Sequence, residues 1–123
     1  MKKILLVDDE TELREIFRMF FTSKNFSFYD AENGEMGIEM AKLIDPDLII
    51  MDYKMPGMNG WEAARLIKEN RDTAHIPIIG YTAWAGKEDI QRGIKYGICE
   101  ILTKPIDVEA WEEKLIKYIP SNQ

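Results

Sequence analysis

The chain has 123 residues, 46% hydrophobic and 31% charged, which suits one domain with a buried core over residues 1–123. With 22 acidic against 16 basic residues the formal charge is −6, and no run of Lys or Arg occurs, so a nucleic-acid-binding surface is not expected. The single Cys99 excludes an internal disulfide and a multi-cysteine metal site. No apolar stretch has membrane-spanning length, and the run after Lys3 is too short for a signal peptide, so a cytoplasmic protein is expected.

In chain order, short apolar runs alternate with longer amphipathic ones. Residues 4–7 read as a buried strand; Leu13, Ile16, Phe17, Phe20 and Phe21 then recur at helical spacing through about Lys24. After a break at Asn25, residues 26–31 read as a half-buried strand. Residues 34–44 predict a helix with Met36, Ile38, Met40, Ala41 and Ile44 available for packing, stopped by Asp45-Pro46-Asp47. Residues 48–51 form a continuous apolar run, the mark of a strand covered on both faces. A loop over 53–58 holds Pro56 and Gly57, and Asn59 can cap a helix from Gly60 to about Asn70. That helix offers Trp61, Ala64, Leu66 and Ile67 to the core. Residues 76–81 predict a fourth strand, 86–96 a fourth helix and 99–102 a fifth strand. Asp107 caps a last helix to Ile119, with Glu109, Glu112 and Glu113 early and Lys114 and Lys117 late, as the helix dipole favours. Five alternating β–α units imply an α/β fold: a parallel sheet with helices on both faces.

In such sheets ligands bind outside the carboxyl ends of the strands. The residues following the apolar runs are Asp8 and Asp9 after the first, Asp52 after the third, Thr82 after the fourth and Lys104 after the fifth. Two carboxylates ~5 Å apart repel by roughly 3 kcal/mol at an effective dielectric of ~20. Three together therefore raise their pKa values or bind a cation. Oxygen-only ligands suit Mg2+, with Mn2+ as a substitute, better than zinc. With a cation in place Asp52 is a carboxylate nucleophile for phosphorus, Lys104 supplies positive charge and Thr82 a hydroxyl donor for the phosphoryl oxygens. The lone His75 reads as a loop residue. An Asp at a strand end, a Thr before a helix and a single Lys are each ordinary alone. Their joint occurrence in order, each at a strand end, carries the reading.

This set resembles the receiver domain of two-component response regulators, with Asp8-Asp9, the stretch Asp52-Tyr53-Lys54-Met55-Pro56-Gly57, Thr82-Ala83 and Lys104-Pro105 matching its motifs from Lys3 to Ile119. The resemblance implies a flavodoxin-like, doubly wound five-stranded sheet of order 2-1-3-4-5 with five helices. It implies that Asp52 receives a phosphoryl group from a phosphohistidine on a sensor histidine kinase or histidine phosphotransfer protein. It further implies that Asp9 and Asp52 ligate Mg2+ directly, Asp8 through water, and Lys54 through its backbone carbonyl. Lys104 and Thr82 would hold the phosphoryl oxygens, and the Lys104-Pro105 bond would be cis. The chain would be a signalling switch rather than an enzyme with a separate substrate, catalysing its own phosphorylation and dephosphorylation.

One position departs from the pattern. Members of the family often carry Tyr or Phe three residues before the lysine, and here that residue is Ile101, which cannot swing as a ring does. Trp84 and Lys54 are expected to limit water access to the phosphoryl group. The phosphodonor is expected beside the acidic pair, on a first-helix surface including Thr11, Glu12 and Arg14. An effector protein is expected on the fourth-helix and fifth-strand face, at Lys87, Arg92, Lys95, Tyr96 and Ile101. A small-molecule phosphatase of the haloacid-dehalogenase type is the competing enzyme reading. It needs an Asp two residues after the nucleophile, where Lys54 stands. A degenerate receiver serving only as a binding module is the second alternative, disfavoured because no member of the constellation is missing.

Overall fold

The structure is a computed structural model that describes residues 1–83, 86–105 and 107–119, with the backbone only of Val108. Strands β1 (Lys3–Val7), β2 (Ser27–Ala31), β3 (Leu48–Asp52), β4 (Ile78–Thr82) and β5 (Glu100–Thr103) alternate with five helices. These are α1 (Thr11–Ser23), α2 (Gly34–Ile44), α3 (Gly60–Glu69), α4 (Lys87–Lys95) and α5 (Val108–Tyr118). All strand pairs are parallel, in the flavodoxin-like order β2-β1-β3-β4-β5.

Strand pleating explains why the runs at 4–7 and 48–51 have no polar member. Ile4, Leu6, Leu48, Ile50, Ile79 and Tyr81 point to one face and pack with Phe17 and Phe21 of α1 and Trp111 and Leu115 of α5. Leu5, Val7, Ile49, Met51 and Ile78 point to the other and pack with Ala41 of α2 and Trp61, Ala64 and Ile67 of α3. Both faces are buried, so alternation is replaced by continuous hydrophobicity. Edge strand β2 is half-buried apart from Ala31, as its sequence implies.

The boundaries shift where backbone chemistry overrides the apolar pattern. The fourth strand begins at Ile78 rather than Ile76, because the Ile76 amide closes a turn onto the Thr73 carbonyl and Pro77 has no N–H to give. Asp52 and Thr82 close β3 and β4 as their last residues instead of following them. Two residues read as core lie outside it: Ile16 on α1 is 58% exposed and Met36 on α2 is 41% exposed. Leu66 is only half-buried.

The predicted caps are in place. Asn59 accepts the Glu62 amide at 2.9 Å, and Asp107 accepts the Ala110 amide at 2.9 Å. Asn33 does the same for α2 through the Met36 amide at 2.8 Å. Asn59→Ala is expected to cost about 1 kcal/mol, read as a lower urea midpoint with unchanged slope. An unshifted midpoint would show that the α3 start is held by other contacts.

Trp61 fills the space between β4, α4 and β5. A Cβ placed on Gly80 would lie 2.7 Å from Trp61 Cη2 and 3.0 Å from Ile101 Cγ1. One on Gly93 would lie 2.8 Å from Ile101 Cδ1 and 3.1 Å from Trp61 Cε2. The two glycines are therefore what lets α4 and β4 close around the indole and Ile101.

Candidate active site

The carboxyl ends of β1, β3, β4 and β5 converge on a cleft of about 350 Å3 lined by Asp9, Glu10, Asp52, Lys54, Thr82, Ala83 and Lys104. Asp8 is fully buried and does not line it, while Asp52 and Thr82 are 4% and 2% exposed and Asp9 is exposed. One carboxylate oxygen from each of Asp8, Asp9 and Asp52 lies within 4.8 Å of the others. The fold thus brings all six predicted site residues to one end of the sheet: five line the cleft and Asp8 lies beside them.

Each side chain is held by local backbone. Asp8 donates its N–H to the Ala31 carbonyl at 3.0 Å, and its Oδ1 accepts the Glu10 amide at 2.8 Å. Lys104 Nζ donates to Asp8 Oδ2 and Glu10 Oε1, both at 3.1 Å, and sits 3.5 Å from Asp52 Oδ1. The Lys104 amide donates to the Thr82 carbonyl at 2.7 Å, tying the two residues through their main chains. The Lys104-Pro105 bond is cis. Gly60 donates its N–H to the Tyr53 carbonyl at 2.8 Å, fixing the chain just past Asp52.

The electrostatics are unbalanced. When all are ionised, Asp8, Asp9 and Asp52 against Lys104 leave a net −2 (three negative, one positive). Burial, then the charges of Asp8 and Asp9, push the Asp52 carboxyl up to about 7 despite Lys104. Burial also raises Asp8, against the Glu10 amide and Lys104. Burial alone would lower Lys104, but Asp52 and Asp8 outweigh it and hold the ammonium charged. A hard divalent cation fits this set: oxygen donors only, excess negative charge and room for water. Asp9 and Asp52 face the cleft and Asp8 has both oxygens engaged by protein donors.

Several features were not legible in the sequence. Glu10 shares Lys104 with Asp8, a contact between residues 94 apart. Tyr53 stacks on Trp61 with ring centroids 4.5 Å apart. Its hydroxyl donates to Asp89 Oδ1 at 3.0 Å and accepts from Arg92 at 2.7 Å, while Trp61 Nε1 donates to the Asp89 carbonyl at 2.8 Å. Arg92, expected to face an effector, is drawn into this cluster, and Ile101 packs inward against the Gly80 and Gly93 positions. Lys87 and Lys95 are exposed and Tyr96 is half-buried. Arg14, also expected at a surface, is only 15% exposed and turned inward. Thr11 and Glu12 are exposed. His75 is an exposed loop residue 2.9 Å from Asp45 Oδ1. The expectation for Trp84 lies outside the described residues. Among the described residues, no helix is long and apolar enough to cross a membrane.

Comparison with known proteins agrees with this geometry. The family model described as "Response regulator receiver domain" matches residues 4–116. Among curated relatives, the cell cycle response regulator CtrA of Brucella ovis is 32% identical over 103 residues, which are 84% of this chain and 44% of that protein. The same match recurs in Brucella abortus, so the chain spans less than half the length of these relatives. Among solved structures, chemotaxis protein CheY4 of Vibrio cholerae superposes with a TM-score of 0.90 at 26% identity, covering 97% of this chain and 99% of that one. The receiver domain of the Pseudomonas aeruginosa sensor histidine kinase PA1611, solved with magnesium coordinated in its active site cleft, gives a TM-score of 0.88. Its identity is 26%, covering 98% of each chain.

Proposed function

We propose, for a chain that belongs to the response regulator receiver domain family, that Asp52 is its phosphoacceptor and the cleft around it a Mg2+-dependent phosphoryl-transfer site. The observation that carries the reading is the convergence of Asp8, Asp9, Asp52, Thr82 and Lys104 at the sheet's carboxyl end, around one cleft. The donor is a phosphohistidine on a sensor histidine kinase or phosphotransfer protein, as the family's role in two-component signalling implies.

The chemistry follows from the groups present. An ionised Asp52 oxygen attacks phosphorus; a P–O bond forms, the P–N bond to the donor imidazole breaks, and that nitrogen keeps the electron pair. Lys104, already within 3.5 Å of Asp52, shifts from Asp8 and Glu10 toward the new phosphoryl oxygens. Thr82, buried at the end of β4, offers its hydroxyl to another oxygen. Asp9 and Asp52, with Asp8 through water and Lys54 through its backbone carbonyl, are the residues that would hold Mg2+. When bound, Mg2+ supplies positive charge against the phosphoryl oxygens during an in-line displacement. Water then attacks the same phosphorus: a new P–O bond forms, the P–O bond to Asp52 breaks, the carboxylate keeps the electron pair, and inorganic phosphate leaves, which makes the chain its own phosphatase. The modified site then alters binding of a downstream protein.

Incubation with acetyl phosphate and Mg2+ is expected to add one phosphoryl group by intact mass and none in EDTA. Lys104→Ala is expected to slow the uptake by about two orders of magnitude, the usual loss when one charged transition-state donor is removed. No adduct on the parent chain would favour a receiver that only binds partners.

A further inference from the structure

Arg14 ends the first turn of α1, yet its guanidinium reaches back beneath the acidic turn. Its Nη1 donates to the Asp8 carbonyl at 2.7 Å and its Nε to Asp30 Oδ2 at 3.1 Å. Asp30 belongs to β2, one residue before Ala31, whose carbonyl takes the Asp8 amide at 3.0 Å. Residue Asp8 is therefore gripped from both sides by the edge strand, directly through its N–H and through Arg14 at its C=O. The carbonyl that Arg14 holds is that of the peptide joining Asp8 to Asp9. Its plane sets the direction in which Asp9 leaves the turn.

Neighbouring Arg18 is a natural contrast. It meets the same Asp30 oxygen at 3.0 Å, and its ion pairs among the described residues are with Asp30 and Glu15, not with Asp8. Both arginines pair with Asp30, but only Arg14 of the two has a hydrogen bond to the Asp8 carbonyl.

We infer that Arg14 is a positioning residue of the cation site, fixing the Asp8–Asp9 peptide so that the Asp9 carboxylate is presented to the ion. The inference rests on the cation-binding reading given above. Its signature is a sign opposite to simple electrostatics. Deleting a positive charge near an acidic cluster strengthens cation binding by Coulomb attraction. Loss of a positioning contact behind metal ligands weakens it, by about 10–100-fold in well-built sites.

The test measures Mn2+ affinity by electron paramagnetic resonance of the free ion for the parent, Arg14→Met and Arg18→Met. Arg14→Met is expected to bind about 10-fold more weakly or worse, and Arg18→Met as well as the parent or slightly better. Equal or tighter binding by Arg14→Met, or an equal loss in Arg18→Met, overturns the inference. If Arg14→Met does not fold, as judged by near-ultraviolet circular dichroism, Arg14→Gln replaces it. That change removes the same positive charge and the fork that joins the Asp8 carbonyl to Asp30, so weaker Mn2+ binding is again expected; equal or tighter binding overturns the inference. A parent chain that takes up no Mn2+ overturns the cation site itself, an outcome distinct from failure of Arg14 alone.

Discussion

Asp52→Asn is expected to accept no phosphoryl group and yet to melt higher than the parent chain in EDTA at pH 8. The reason is the energetic cost of the carboxylate in its resting place. Burial, followed by Asp8 and Asp9, pushes the Asp52 carboxyl from 3.8 up to about 7. A carboxyl whose folded pKa exceeds its unfolded one binds its proton more tightly in the folded protein. Its stabilising contribution is whole below about pH 4 and is lost as pH rises through 7. At pH 8 the folded chain carries an ionised group that it would rather keep neutral, a penalty on the order of 2–4 kcal/mol. Asn keeps the shape and removes the charge. The expected gain in melting temperature is on the order of 10 °C for a domain of this size. At pH 4.5 the parent is already protonated there, so the gap should narrow. A gap of the same size at both pH values would refute the electrostatic account, and phosphoryl uptake by the variant would remove Asp52 from its proposed role.

The second large effect is expected at Gly60, the first residue of α3. A Cβ there would lie 1.7 Å from the Asp52 carbonyl oxygen, 2.8 Å from its carbonyl carbon and 2.9 Å from Met51 Cγ. Two of those atoms are backbone, so no side chain can turn aside to make room. Gly60→Ala is therefore expected to cost about 3 kcal/mol or more, as severe overpacking does. It must also move the end of β3, because the Gly60 amide and the Tyr53 carbonyl are hydrogen-bonded at 2.8 Å. A displacement of ~1 Å at a reacting group can lower its rate by about 100-fold, and phosphorylation by acetyl phosphate should fall on that scale. Gly57 is the control. Its φ is +79°, but a Cβ there meets nothing within 4 Å, so Gly57→Ala carries backbone strain alone. It should cost about 1 kcal/mol and leave phosphorylation near the parent rate. Urea midpoints and adduct rates for the pair check both statements; similar behaviour of the two variants would refute the steric argument.

The fold was legible because it depends on periodicity. Continuous apolar runs at 4–7 and 48–51 and helical spacing between them imply a sheet covered on both faces, which is found. The candidate site was legible for a related reason. A parallel sheet sends every strand's carboxyl end to the same edge, so Asp8, Asp9, Asp52, Thr82 and Lys104 must gather wherever the strands end. What periodicity cannot provide is where along a helix's apolar stripe burial stops. Ile16 and Met36 lie outside that edge while the adjacent Phe17 and Gly37 are buried. Nor can it show where a long side chain turns. Arg14 reads as a surface cation yet turns its guanidinium to Asp30 of β2, and Arg92 reaches the Tyr53 hydroxyl as well as Asp89 of its own helix.

The packing around Trp61 has a consequence for how a change at Asp52 travels. Between β4, α4 and β5 the indole and Ile101 occupy the room left by Gly80 and Gly93, with no gap wide enough for even one added carbon. Close-packed interiors yield as blocks more readily than by one side chain turning in place. The seam runs along the Tyr53–Asp89–Arg92 hydrogen bonds, and one end of it is joined to Asp52 by a single peptide bond. A displacement of Tyr53 therefore reaches α4 directly, through Asp89 and Arg92.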